Sequence, residues 1–289
     1  MSSSTSDPPF KSVAVVGLGL IGGSIALAIR ERWPSVRIAG VDRPAVLAHA
    51  QGSGALDRSS ETIDGLGGAD LVVLAAPVRQ NVALLGQIVR QLQPATIVTD
   101  VGGTKVDIVE AARGLRCGAS FIGGHPIGGA ERGGFGFARP DLFKGRPWIF
   151  TPHADARADV VERLFEFARG LGARPSTMDA AAHDRVMAFL SHLPQLTASA
   201  LMDVIGREAH ADGLRLAGRG LVDTTRLASS SPYTWRDICA TNADAIGEAL
   251  DALIGRLTEL RRDLNGGAAI DAIFEDAARW RAELMKGRE

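Results

Sequence analysis

The stretch SVAVVGLGLIGGS, residues 12–24, constrains the chain more than any other. An unbroken apolar run (12–16) meets three spaced glycines, Gly17, Gly19 and Gly22, and passes into a helical pattern through Ile25, Leu27, Ala28 and Ile29. GxGxxG alone is a weak motif in a glycine-rich chain. Between a strand and a helix it predicts a dinucleotide-binding turn. Gly17 permits the tight turn, Gly19 lets backbone approach a pyrophosphate at the helix N-terminus, and Gly22 lets helix and strand pack closely. Asp42 closes the next β-rich run, VRIAGVD, where a carboxylate accepts both ribose hydroxyls of NAD and repels a 2′-phosphate. Arg43 beside it weakens that exclusion and leaves NADP open. The motif by itself also leaves FAD open.

Further strands follow in alternation with helices: ADLVVLAAP (69–77), TIVTDV (96–101), SFIGGHP and RPWIFTP, with DLFKG as a loop. Continuous apolar strands separated by helices predict a parallel sheet covered on both faces. Beyond about residue 179 the β pattern stops. HDRVMAFLSHLPQLTASALMDVIGRE reads as a helix kinked by Pro194, and apolar residues at 246, 250, 253, 257, 260 and 264 line one stripe of another. The expected class is α/β: a Rossmann-type dinucleotide-binding domain followed by an all-helical domain. The expected division is a disordered N-terminus (1–11), a Rossmann domain (12–178) and a helical substrate and dimerisation domain (179–289). Leu20 and Ile21 in the glycine turn, Ala76 and Pro77 after a strand, and Gly102 complete the expected cofactor-contacting set. The long amphipathic C-terminal helices predict a homodimer.

Composition narrows the partners. A net charge of −1 offers no electrostatic reason for nucleic acid or an anionic membrane surface. No apolar window is long enough to span a bilayer, and MSSSTSDPPF lacks an apolar signal core. Cys117 and Cys239 are far apart, which argues against a disulfide framework or zinc site and fits a reducing cytoplasm. No metal is expected.

A second segment, GGHPIGGAERGGFG (123–136), sets His125 among seven glycines. Glycine lets backbone approach a ligand closely, so a histidine here is either a general base facing a bound molecule or an incidental member of a glycine-rich turn.

VVGLGLIGGS, VTDVGGTK, GGHPIGGAE, HDRVMAFLSHLPQ and TTRLASSSPYTWRDICATN occur in that order. Together they resemble the prephenate/arogenate dehydrogenase family of tyrosine biosynthesis, over residues 12–264. The resemblance implies oxidative decarboxylation of a cyclohexadienol, with hydride passing to NAD, in a cleft between a nucleotide-binding and a dimerisation domain. It implies that His125 takes the ring hydroxyl proton and that Arg226 binds the ring carboxylate, where a planar guanidinium pairs bidentately. Ser191, His192, Gln195 and Trp235 fall in segments it assigns to the substrate. His192 is equally readable as a buried, satisfied histidine, Trp235 as a core tryptophan, and His183 as structural or interface-polar. Glu131 is either part of a charged network with Arg226 or an exposed loop residue.

Two positions depart from the family pattern. Gly103 stands where a serine helps orient the histidine, so Thr104 or a water is expected to supply the hydroxyl. Gln195 stands where many members carry histidine. A neutral amide there favours prephenate, with arogenate or dual use the alternative. Other readings are a β-hydroxyacid dehydrogenase or imine reductase, which place a lysine or aspartate on the interdomain helix, and a non-catalytic NAD sensor. A Ser191–His192 hydrolase fails because helix neighbours point about 100° apart.

Overall fold

The computed structural model describes residues 7–66, 68–114, 119–129 and 132–286. Its first elements are β1 (Ser12–Val16), α1 (Leu20–Arg32), β2 (Arg37–Val41), α2 (Pro44–Gly52), β3 (Arg58–Ser60), β4 (Leu71–Leu74), α3 (Val78–Ile88), β5 (Ile97–Asp100), α4 (Val106–Arg113) and β6 (Ser120–Pro126). They continue through β7 (Pro147–Thr151), α5 (Ala158–Gly170) and β8 (Arg174–Thr177). The rest is helical: α6 (Ala180–Met187), a π turn (Ala188–His192), α7 (Leu193–Leu214), α8 (Arg219–Thr224), a 3₁₀ turn (Arg226–Ser229), α9 (Pro232–Thr241), α10 (Ala243–Arg262) and α11 (Ala268–Met285).

The eight strands form one sheet in the order β3-β2-β1-β4-β5-β6-β7-β8. The order reverses direction between β1 and β4, the crevice where dinucleotides bind in doubly wound folds. The apolar runs are explained by burial on two faces. Val13 and Val15 of β1 join one core cluster, with residues of α1 and α5, while Ala14 and Val16 join the other, with residues of α3 and α4. β4 divides the same way, Leu71 and Val73 against Val72 and Leu74. Every position must therefore be apolar, and alternation disappears.

Three details differ from the sequence expectation. The sheet is not wholly parallel: β7 runs antiparallel to β6, because the connection between them carries no crossover helix. β3 and β8, with sequences RSS and RPST, were not legible, because edge strands need no two-faced apolar run. Pro194 lies in the first turn of α7, and the preceding turn widens to a π turn in which the Leu193 N–H donates to the Ala188 carbonyl. Widening accommodates a ring that has no N–H and crowds the carbonyl four residues back.

The described chain divides into two compact units, residues 1–243 and 244–289. In the second, Ile254, Leu257, Phe274, Trp280 and Leu284 are exposed apolar side chains on α10 and α11. No described helix is long and apolar enough to cross a membrane. Cys239 is a free thiol, and Cys117 lies outside the described residues.

Residues 7–11 do not fit the expectation of a disordered lead-in. Phe10 is 2% exposed, packs edge-on to Phe167 at 5.8 Å and lies under the Arg163 guanidinium at 4.5 Å, while Arg163 also donates to the Pro9 carbonyl. Phe10→Ala should lower unfolding free energy by about 3–5 kcal/mol, the usual cost of emptying a buried aromatic site. Urea denaturation followed by far-UV circular dichroism measures this, and an unchanged midpoint would mean the segment is not anchored.

Candidate active site

At the turn after β1, Gly17 has φ +93, and a Cβ there would come within 2.7 Å of the Ala75–Ala76 peptide at the end of β4. A Cβ on Gly22 would fall 1.9 Å from the Gly17 carbonyl oxygen, so any side chain would push helix from strand. Gly19 has nothing within 4 Å of its missing Cβ, and as N-cap of α1 it supplies no side-chain acceptor. Open space thus lies over a helix N-terminus with uncapped first-turn donors, a place for a pyrophosphate. Leu20 and Ile21, half-buried, begin that helix. The Asp42 carboxylate accepts from the Leu18 N–H (2.6 Å) and the Arg43 N–H (2.7 Å), one bond per oxygen. Each oxygen keeps a lone pair for a ribose hydroxyl. The Arg43 side chain is exposed. Asn81 donates to the Ala76 carbonyl (2.8 Å) and fixes the loop through Pro77. These residues fit NAD.

The VTDVGGTK segment closes the β5 end. Asp100 and Lys105 form a fully buried ion pair. Asp100 also accepts from the Gly102 N–H (2.8 Å) and the Gly124 N–H (3.1 Å), the residue before His125. Gly102 faces inward: a Cβ would come within 2.7 Å of Val78. Burial pulls the Lys105 ammonium below the ordinary lysine range, against the attraction of Asp100.

His125 sits at the end of β6 with part of its surface accessible. Its Nδ1 is 2.9 Å from His183 Nε2, and His183 Nδ1 is 2.7 Å from the Asp184 carboxylate. Asp184 also accepts from the Lys105 N–H (2.7 Å) and the Val106 N–H (2.9 Å), so it occupies the N-terminus of α4. The tautomers follow in sequence. A carboxylate accepts, so His183 carries its proton on Nδ1 and its Nε2 accepts. His125 then carries its proton on Nδ1, and its Nε2 is left with a lone pair. That nitrogen lies 4.0 Å from where a Cβ on Gly103 would stand, so glycine keeps space in front of it. Burial, then the neighbouring His183, Lys105 and His192, hold the His125 imidazole well below its ordinary pKa and hence neutral at pH 7.

His192, on the π turn, is buried, and its ring meets Trp235 edge-on at 5.9 Å. Burial is the main cause that lowers its pKa to about 4. The ring joins His125 through one run of hydrogen bonds, from the Asn242 amide to Asp184 and on through His183. From α9, Asp237 accepts from the Val78 N–H (2.6 Å) at the start of α3. Two carboxylates from the helical segment, Asp184 and Asp237, therefore cap two helices of the sheet domain.

Several expected residues stand elsewhere. Thr104 does not serve His125: it is fully buried, and its hydroxyl is bonded to Thr241 (2.7 Å), so the orienting role expected of it belongs to His183. Gln195 is turned into the protein, donating to the Leu227 carbonyl (2.7 Å) and Ser199 and accepting from Ser230 (3.0 Å). Those bonds brace the 3₁₀ turn that begins with Arg226, an exposed residue. Ser191 is exposed, Trp235 half-buried, and Glu131 lies outside the described residues. The contacts of His183, Asp184, Asp237 and the Asp100–Lys105 pair around His125 and the ends of α3 and α4 are not legible in the sequence. The adjacency HD, with a donor and an acceptor side by side, was the available clue. Among the described residues no cluster of His, Cys, Asp and Glu is arranged to hold a metal ion.

Residues 25–176 match the model of the prephenate dehydrogenase nucleotide-binding domain, and residues 179–275 that of the prephenate dehydrogenase dimerization domain. A prephenate dehydrogenase of Bacillus subtilis is 35% identical over 86% of this chain and 69% of its own. The fold superposes on a crystal structure of prephenate dehydrogenase from A. aeolicus in complex with hydroxyphenyl propionate and NAD+. That match has a TM-score of 0.86 and 27% identity, and covers 98% of this chain and 100% of the other. It also superposes on Synechocystis arogenate dehydrogenase, with a TM-score of 0.80, 28% identity, and 94% and 99% coverage.

The two depressed imidazoles link stability to pH. A histidine with a lowered folded pKa binds fewer protons folded than unfolded, so its contribution is complete above about pH 6.5 and is lost as pH falls. For His192 the loss spans the interval from 6.5 down to about 4. Urea midpoints should fall across that interval, and His192→Gln should fall less steeply than the parent. Parallel curves would refute the assignment.

Proposed function

Because the chain belongs to the prephenate dehydrogenase family, we propose that it oxidatively decarboxylates prephenate to 4-hydroxyphenylpyruvate with His125 as general base. The observation that carries this reading is the Asp184–His183–His125 chain, which leaves one unprotonated imidazole nitrogen facing the space at Gly103. The cofactor is NAD, which when bound accepts the hydride from the hydroxyl-bearing ring carbon.

His125 Nε2 accepts the ring hydroxyl proton as the carbon–oxygen double bond forms. The new imidazolium donates to His183 through Nδ1 and is stabilised by the Asp184 carboxylate behind it. Loss of the ring carboxylate as carbon dioxide makes the ring aromatic, and the proton on Nε2 returns to the oxygen as the phenol forms. Arg226 pairs with the ring carboxylate during binding, on the turn that Gln195 braces. Asp42 holds the ribose and the glycine turn the pyrophosphate. Ser191, His192 and Trp235 border the substrate side chain. Gln195, with its amide committed to protein groups, gives no basis for choosing prephenate over arogenate.

The same reading assigns residues 12–178 to cofactor binding and 179–289 to substrate binding and dimerisation. A homodimer is supported by the dimerization-domain match and the exposed apolar side chains of α10 and α11. The scarcity of cysteine supports a cytoplasmic setting.

Purified protein with prephenate or arogenate and NAD or NADP, followed by nicotinamide absorbance at 340 nm, tests the assignment. Prephenate with NAD should give turnover. His125→Asn should lower kcat by about 10²–10⁴, the usual worth of a positioned base, and Arg226→Ala should chiefly raise KM. Absence of turnover in every combination, or parental kcat in His125→Asn, would overturn the reading.

A further inference from the structure

Asn242 is buried and closes α9 with non-helical backbone, φ −148 and ψ 36. Its Nδ2 donates to the Asp184 backbone carbonyl (2.8 Å) and lies 3.3 Å from His192 Nδ1. A peptide carbonyl can only accept, so the atom facing it is the amide NH₂ and not the amide oxygen. That NH₂ has no lone pair to offer His192. His192 Nδ1 must therefore be the acceptor, and its ring proton sits on Nε2.

We propose that Asn242 is a positioning residue that locks His192 as a neutral Nε2–H donor in the hydrogen-bonded cluster that holds His125. The assignment rests on the proposed function, within which it supplies the polarity of the site. The two rings are set oppositely, one by a carboxylate through His183 and one by an amide. A substrate that must give up a hydroxyl proton at one end and offer an oxygen acceptor at another is thereby held one way round. The oxygen suited to His192 is a carbonyl or carboxylate.

The groups around His192 are His183 and Asp184 from α6, the Trp235 ring from α9 and the Asn242 amide just after it, with His125 reached through His183. Asp184 favours a second proton on His192, while burial and His183 oppose it. The amide adds a geometric veto, because a proton on Nδ1 would face an N–H. Without it the neutral ring can carry its proton on either nitrogen, and the donor at Nε2 is no longer fixed.

Asn242→Asp tests the lock by exchanging the donor for an acceptor. Long-range ¹H–¹⁵N spectra of the full chain, without substrate, report the histidine tautomers, and His192→Gln assigns the signal. The parent should show His192 with a bare Nδ1, a protonated Nε2 and no titration from about pH 6 to pH 8. Asn242→Asp should protonate both nitrogens at neutral pH, move the acid limb of kcat/KM and lower kcat/KM by about tenfold or more, the scale of one lost polar contact. Asn242→Ala, which puts no carboxylate against the Asp184 carbonyl, should show mixed tautomers if the aspartate variant does not fold. A parent His192 protonated on Nδ1, or folded Asp and Ala variants with the parental tautomer and pH profile, would overturn the proposal. The spectra need no turnover, so failure of the prephenate assay would overturn the function while leaving the tautomer result to stand by itself.

Discussion

The site depends on what the Asp184 carboxylate accepts. Two backbone N–H groups at the N-terminus of α4 and the imidazole of His183 converge on it. A carboxylate suits that position because it meets donors that have no intrahelical partner and the positive end of the helix dipole. Held there, it can only accept from His183, and the tautomer of each ring beyond it follows. The protonation pattern of the candidate base is thus fixed two residues away by the geometry of a helix start.

Much of the same region is polar and buried, and its energetics set what the chain can vary. Asp100 and Lys105 are wholly removed from water, which is tolerable because the carboxylate also receives the N–H groups of Gly102 and Gly124. Such a pair is weak evidence of stability, since desolvation offsets most of its attraction, yet losing one partner leaves an uncompensated buried charge. Its structural effect is positional: it ties the end of β5 to the backbone just before His125. Thr104 with Thr241, and Asp237 with the start of α3, join helical residues to the sheet in the same manner.

Legibility in the sequence varied with the range of the interaction. The glycine turn, Asp42 and the two-faced strands were readable because each rests on contacts within a strand–turn–helix unit. His125 stands out in the sequence by its glycine surroundings together with the resemblance. Thr104 and Gln195 were misread because a position in a motif says nothing about which way a hydroxyl or amide turns. Their hydrogen-bond partners, Thr241 and Leu227, lie far along the chain. His183 reads as structural or interface-polar in the sequence for the same reason: its contact is with His125, 58 residues away.

By itself the sequence determined the architecture and the chemical inventory: a doubly wound sheet with a dinucleotide turn, a helical segment, one histidine among glycines and one arginine in the TTRLASSSP segment. Local sterics and apolar periodicity are enough for that, because they act over a few residues. Only the tertiary structure decided which nitrogen of each imidazole carries a proton. Protonation state follows from the donor or acceptor character of the group opposite, and the groups opposite His125 and His192 arrive from other elements. Composition cannot tell a donating neighbour from an accepting one until the fold has brought them to hydrogen-bond distance.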